Sequence, residues 1–162
     1  MIQSVKIARD KKMDLWIEKV TDDKKRYLDL LLLADEQESM IDRYLERGDM
    51  YVLKTDGGDA AGVCVVTDED GVLEIKNIAV RPEFQRTGLG GALIEFIEDT
   101  YKDSYDILQV GTGDSPLTIP FYEKCGFKRS GVVKDFFTDN YDRPIFEAGV
   151  RLRDMIYLTK RI

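Results

Sequence analysis

The residues with the clearest capacity for chemistry form one run, Gln85-Arg86-Thr87-Gly88-Leu89-Gly90-Gly91. Before it lies Leu73-Glu74-Ile75-Lys76-Asn77-Ile78-Ala79-Val80, whose branched apolar residues predict a buried strand closed by Arg81-Pro82. After it, Leu89, Ala92, Leu93, Phe96 and Ile97 recur at helical spacing, with Glu95, Glu98 and Asp99 on the other side. The run is therefore a glycine-rich turn between a strand and the first turn of an amphipathic helix. Glycines let the backbone approach a ligand, and the unpaired N–H groups of a helix start, with its dipole, favour an anion. Arg86 adds positive charge beside the same turn. The chemistry this predicts is phosphate or pyrophosphate binding.

Two familiar phosphate loops do not fit. A Walker-type loop needs Lys-Ser or Lys-Thr after its last glycine, and here Ala92-Leu93 follows. A Rossmann fingerprint needs a third glycine where this chain has Leu93. Gln85-Arg86-x-Gly88-x-Gly90 instead resembles the acyl-CoA pyrophosphate loop of the GNAT (GCN5-related N-acetyltransferase) superfamily. Two later segments carry the resemblance in the right order, Val110-Gly111-Thr112-Gly113-Asp114 and Pro120-Phe121-Tyr122-Glu123-Lys124-Cys125-Gly126-Phe127. It covers about residues 15–158.

The resemblance implies a cofactor and roles for named residues. Two middle strands would splay so that the pantetheine arm of acetyl-CoA pairs with the strand at Ile78, Ala79 and Val80. Ile78 and Val80 would offer main-chain contacts to the pantetheine and the acetyl carbonyl. Arg86, Thr87, Gly88, Leu89, Gly90 and Gly91 would cradle the pyrophosphate. Asp114 would also lie against CoA, at a position where many members have Asn. Tyr122 resembles the tyrosine that protonates the leaving thiolate, which suits a phenol of pKa near 10 beside a thiol near 8.5. Glu74, eleven residues before Gln85, resembles the general-base Glu of histone-acetylating members. Acceptor choice in the superfamily lies in the first helical region and the last hairpin loop. Here these supply acidic Asp35, Glu36 and Asp139 and aromatic Phe136, Phe137 and Tyr141, a set suited to a cationic amine.

Composition narrows the chemistry further. The chain has 162 residues, 43% hydrophobic and 34% charged, enough for one domain with a sizeable core. It has no histidine, which removes Ser-His and Cys-His nucleophile pairs and the common zinc sites. Any general base must be a carboxylate, a tyrosine, a lysine or a water, and no metal is expected. Two cysteines, Cys64 and Cys125, do not make a disulfide framework and read as small buried hydrophobes. A net charge of −7 argues against nucleic acid as a partner. The longest apolar run, Leu30–Ala34, is far short of a membrane span, and no secretory core opens the chain, so a cytoplasmic location is expected.

The elements that must position these residues follow from pattern. Val5–Ala8 suggests a short strand broken by Arg9–Lys12, and residues 1–12 read as an extension that could pair at a sheet edge. Leu15–Val20 is the better first strand, with Thr21-Asp22-Asp23 as a helix cap. A helical region over residues 22–47, broken near Asp35-Glu36, ends at Gly48. Tyr51–Lys54 and Ala60–Val66 form a hairpin around Asp56-Gly57-Gly58-Asp59, and Thr67–Gly71 turns into the central strand. Ile107–Val110 is a short strand, Asp114 or Ser115 caps a helix with Pro116 in its first turn, and Gly126 stops that helix. Phe127 opens a strand to about Phe137, a loop runs from Thr138 to Pro144, and Met155–Leu158 belongs to a last strand.

Hairpins combined with strand–helix–strand crossovers predict an α/β fold. Its central sheet is mixed and mostly antiparallel, with helices on both faces and splayed middle strands. The expected activity is direct transfer of an acetyl group from acetyl-CoA to a primary amine, on a small molecule or a peptide. A single domain over residues 1–162, as monomer or homodimer and without membrane attachment, would carry it. The alternatives are an acyl-CoA-binding sensor or interaction module without catalysis, and a nucleotide-binding protein.

Overall fold

The computed structural model describes residues 2–6 and 14–162, arranged in two compact units. The expected break at Arg9–Lys12, and Ile7 and Ala8 with it, lie outside the described residues. The first unit comprises Met1–Thr67 and Lys76–Thr100, and the second Asp68–Ile75 and Tyr101–Ile162.

In the first unit, β1 (Ile2–Lys6) pairs antiparallel with β2 (Asp14–Val20), from Ile2 opposite Glu18 to Lys6 opposite Asp14. β2 pairs antiparallel with β3 (Asp49–Thr55), and β3 with β4 (Ala60–Glu69). Gly58 takes the positive φ of +83° that the turn between β3 and β4 needs. The second half of β5 (Val72–Val80) also belongs to this unit.

Side chains alternate along these strands, so each strand serves two cores. On one face, Met50, Val52, Val63, Val65 and Ala79 pack with Leu30 and Leu31 of α1 (Leu28–Ala34) and Ile41 of α2 (Glu38–Ile41). Tyr44 and Leu45, in the turns after α2, join them. On the other face Tyr51 meets Phe96 of α3 (Leu89–Tyr101) edge to face at 4.9 Å. Gly62 keeps this layer close: a Cβ there would lie 2.8 Å from the Ala79 carbonyl and 3.5 Å from Leu93.

The helical region divides at Asp35-Glu36 as expected, but it starts differently. Lys24–Tyr27 is a turn of 3-10 helix, and Asp23 before it stands at φ +44° without a side-chain cap. The end of the region is closed by a buried cation. Lys24 Nζ donates to the carbonyls of Leu45, Glu46 and Gly48 at 2.9, 3.3 and 2.7 Å, meeting orphan acceptors of the last turn.

In the second unit, Leu73–Ile75 of β5 pairs parallel with Leu108–Val110 of β6 (Ile107–Gly113). β6 pairs antiparallel with β10 (Met155–Arg161), and β10 with β7 (Lys128–Val133). The architecture is thus mixed α/β with a mostly antiparallel sheet. Helix α4 (Ile119–Lys124) begins later than its proline predicts. Ser115 turns the chain first, its hydroxyl accepting Leu117 N–H at 3.1 Å and its carbonyl Ile119 N–H at 3.2 Å. Pro120, not Pro116, sits in the first helical turn.

The strand expected to reach Phe137 ends at Val133, and α5 (Phe136–Asn140) replaces its end and the start of the loop. Asp135 is the reason, since its φ of +57° leaves the extended region and its carbonyl accepts Asp139 N–H at 2.8 Å. A small hairpin, β8 (Phe146–Glu147) and β9 (Val150–Arg151), then turns through Ala148 and Gly149, both at positive φ.

Candidate active site

In the first unit the glycine run lies where the sequence placed it. Pro82–Phe84 makes one turn of 3-10 helix after β5, and α3 begins at Leu89. The intervening residues are fixed by their own contacts. Gln85 Nε2 donates to the Val80 carbonyl at 3.0 Å, and the Thr87 hydroxyl donates to the Phe84 carbonyl. Arg86 and Gly88 adopt φ +61° and +87°, left-handed conformations that bend the chain into the helix.

A Cβ on Gly88 or on Gly91 would meet nothing within 4 Å. Glycine at 88 therefore answers to the backbone conformation, and the space beside both residues stays open to a ligand. Ala92 N–H is bonded to the Gly88 carbonyl at 3.0 Å, so the N–H groups of Leu89, Gly90 and Gly91 fall in the first turn, without intrahelical acceptors. Arg86 is exposed on this loop, and Leu89 is buried beneath it. Arg81 is committed elsewhere: its guanidinium donates to the Ala60 carbonyl at 2.7 Å and to Asp29 at 2.8 Å. That contact holds the Asp29 carboxyl below its ordinary pKa.

Along the same half of β5, Ile78 and Val80 are half-buried and Ala79 is buried. Asn77, just before them, forms a cluster that sequence reading missed. Its Nδ2 donates to the Leu31 carbonyl at 2.9 Å and to the Tyr44 hydroxyl at 3.1 Å, and that hydroxyl donates to Asp35 at 3.0 Å. All three residues are buried, and burial, with the Asp35 charge next, pushes the Tyr44 phenol well above its usual pKa. Asp35 thus serves an internal network. The available signal was one amide in a strand of branched apolar residues.

In the second unit, Glu74 is 4% exposed and accepts a 2.6 Å hydrogen bond from Gln109 Nε2. Tyr122, in α4, is 7% exposed, its ring edge to face with Phe121 at 5.1 Å and Phe127 at 5.7 Å. Asp114 follows the end of β6, exposed, with Arg129 at 4.0 Å, a separation and exposure at which an ion pair contributes little. Gly111 and Gly113 admit Met155 and Leu152, whose side chains would lie 2.7 and 2.5 Å from added Cβ atoms. Phe136, Phe137 and Tyr141 pack on one another, with Phe137 and Tyr141 stacked at 5.5 Å. The two cysteines are not joined in a disulfide; Cys64 is buried and Cys125, against expectation, only half-buried. Burial pushes the Cys64 thiol up to about 12, which leaves it without nucleophilic character near neutral pH.

The first unit therefore holds Ile78–Val80 and the loop residues 86–91, and the second carries Glu74, Tyr122 and Asp114. Among the described residues, no helix is long and apolar enough to cross a membrane.

Residues 46–129 match the family model described as an acetyltransferase (GNAT) domain. The uncharacterized N-acetyltransferase YvbK of Bacillus subtilis is 41% identical over 133 residues, 80% of this chain and 85% of the relative. A GNAT family acetyltransferase from Elizabethkingia anophelis, solved with acetyl-CoA bound, superposes with TM-score 0.86 at 38% identity, covering 91% of this chain and 98% of that one. A Bacillus subtilis acetyltransferase in complex with CoA gives TM-score 0.81 at 38% identity, covering 90% of this chain and 97% of the other.

Proposed function

The chain belongs to the GNAT acetyltransferase family, and from that premise we propose that it moves the acetyl group of acetyl-CoA to a primary amine by direct attack within a ternary complex. The observation that carries this reading is the loop from Arg86 to Gly91: two left-handed residues, open space at Gly88 and Gly91, and a helix start whose N–H groups lack intrahelical acceptors. Such a loop suits a pyrophosphate. Two similar structures hold acetyl-CoA or CoA.

On this reading the main chain at Ile78 and Val80 holds the pantetheine and the acetyl carbonyl, with Ala79 between them, and Asp114 lies against the cofactor. The amine nitrogen attacks the thioester carbon, the C–S bond breaks, and Tyr122 gives its hydroxyl proton to the departing sulfur, the phenol being restored as the new amide nitrogen sheds its second proton. Glu74 takes the proton that the ammonium must lose, through a water, since its carboxylate is almost wholly buried. A thioester is already activated, so positioning and proton transfer complete the chemistry without a covalent enzyme intermediate. The acceptor is a small-molecule or peptide amine. The whole chain acts as one cytoplasmic domain, monomer or homodimer, away from membranes and nucleic acid.

The decisive experiment measures free thiol release from acetyl-CoA against a panel of spermidine, L-lysine, an aminoglycoside and a peptide with a free amino terminus. Release that depends on one amine, with the acetylated product seen by mass, is expected. Tight acetyl-CoA binding with no turnover across the panel would turn the reading towards a sensor.

A further inference from the structure

We propose that Gln109 is a positioning residue for the base: it holds the Glu74 carboxylate with a neutral N–H donor, which fixes the group without adding a charge beside it. This rests on the reading of Glu74 as general base. The two residues stand directly opposite in the parallel β5–β6 ladder, and Gln109 Nε2 donates to Glu74 Oε1 at 2.6 Å. On its other side Gln109 pairs with Thr159 of β10, so its strand is fixed by ladders on both edges.

A carboxylate only 4% exposed must have its lone pairs met, and the choice of donor decides what it can do. An arginine or lysine at 109 would satisfy it as an ion pair. It would also lower the carboxylate's proton affinity by about 1–3 pKa units, the wrong direction for a group that must take a proton from an ammonium. An apolar residue would remove this donor. The amide alone anchors without adding charge. By strand alternation the same face carries Lys76 along β5, Tyr157 and Arg161 along β10, and Lys128 on β7. Their charges form a common background for every variant below.

The test measures kcat against pH by thiol release, using the fastest amine of the panel, for Gln109→Met, Gln109→Arg and Glu74→Gln. Met keeps the length and loses the N–H; Arg keeps a donor and adds charge. For Gln109→Met, kcat at pH 7 should fall about 10- to 100-fold, the scale of a hydrogen bond to a charged group. Its acid limb should move up by about one unit, because the charged form has lost a hydrogen-bond donor. For Gln109→Arg the acid limb should move down by at least about one unit, with a slower plateau. Acceptor KM should change little in either.

Opposite displacements from one position are not produced by a scaffold role. If Gln109→Met misfolds, seen as loss of the acetyl-CoA melting shift, nearly isosteric Gln109→Glu replaces it and must move the limb up by like-charge repulsion. Profiles for the Gln109 variants that overlay the wild type, with Glu74→Gln slow at neutral pH and recovering at high pH, overturn this inference and leave the base reading intact. A Glu74→Gln profile equal to the wild type removes the base reading and this inference together. A panel with no acceptor removes acetyl transfer itself, before any Gln109 variant is made.

Discussion

Tyr122 answers to two requirements, packing and proton donation, and its surroundings speak mainly to the first. Its ring sits between Phe121 and Phe127, so the aromatic body is held on two sides whatever the hydroxyl does. Tyr122→Phe should therefore keep the fold and the acetyl-CoA affinity while turnover falls by about 10²-fold or more, the scale of general-acid work. Steady-state kcat beside a binding isotherm checks this, and an unchanged kcat returns Tyr122 to the core. Tyr44 presents the reverse case, a hydroxyl with a structural task and no sequence signal. It accepts from Asn77 and donates to Asp35, so Tyr44→Phe deprives a buried carboxylate of a donor and a buried amide of an acceptor. The loss should be about 1–3 kcal/mol in urea unfolding. The Tyr44 ring is buried together with Met40, Ile41 and Leu45, as its spacing from them dictates. The partners of its hydroxyl come from β5 and the break at Asp35, a conjunction that no local spacing encodes.

At the scale of elements, what the sequence revealed depended on how local the cause was. The strand–loop–helix unit around Gly88 was legible because each part has a near-neighbour cause: a branched apolar strand, a residue free to take positive φ, and an amphipathic repeat. The split of the first helical region at Asp35-Glu36 was legible for the same reason. Helix α5 was not, since it depends on Asp135 at positive φ and on Phe137 N–H reaching the Arg153 carbonyl, sixteen residues on, at 2.9 Å. The start of α4 was misplaced because Ser115 spends its polar groups on a turn before the helix begins. The loop itself gives a prediction. Gly88→Val should cost about 1–3 kcal/mol of stability, the price of a β-branched residue at φ +87°. It should also abolish acetyl-CoA binding, because the first-turn N–H groups no longer line one side of the anion. Circular dichroism and isothermal titration on the same sample separate the effects, and a folded variant that binds normally would sink the cradle assignment.

At the scale of the whole molecule, charge and cofactor oppose each other. A chain of net charge −7 has no long-range attraction for a polyanion such as CoA, so binding must come from local geometry. A ligand that binds only the folded state stabilises it by mass action, about 2.7 kcal/mol at a hundred times its Kd. For a domain of this size each kcal/mol moves Tm by about 2–4 °C, so saturating acetyl-CoA should raise Tm by about 5–10 °C. On the proposed reading the loop engages the pyrophosphate and not the acetyl group, so free CoA should do nearly as well. ATP at the same concentration should shift Tm by less than about a third as much. It brings phosphates to the loop but lacks the pantetheine arm that the proposed reading pairs with the β5 main chain. A differential scanning fluorimetry series over these three ligands checks the order. Equal shifts for ATP and acetyl-CoA would mean that the loop acts alone, and would move the reading from acyl transfer to nucleotide binding.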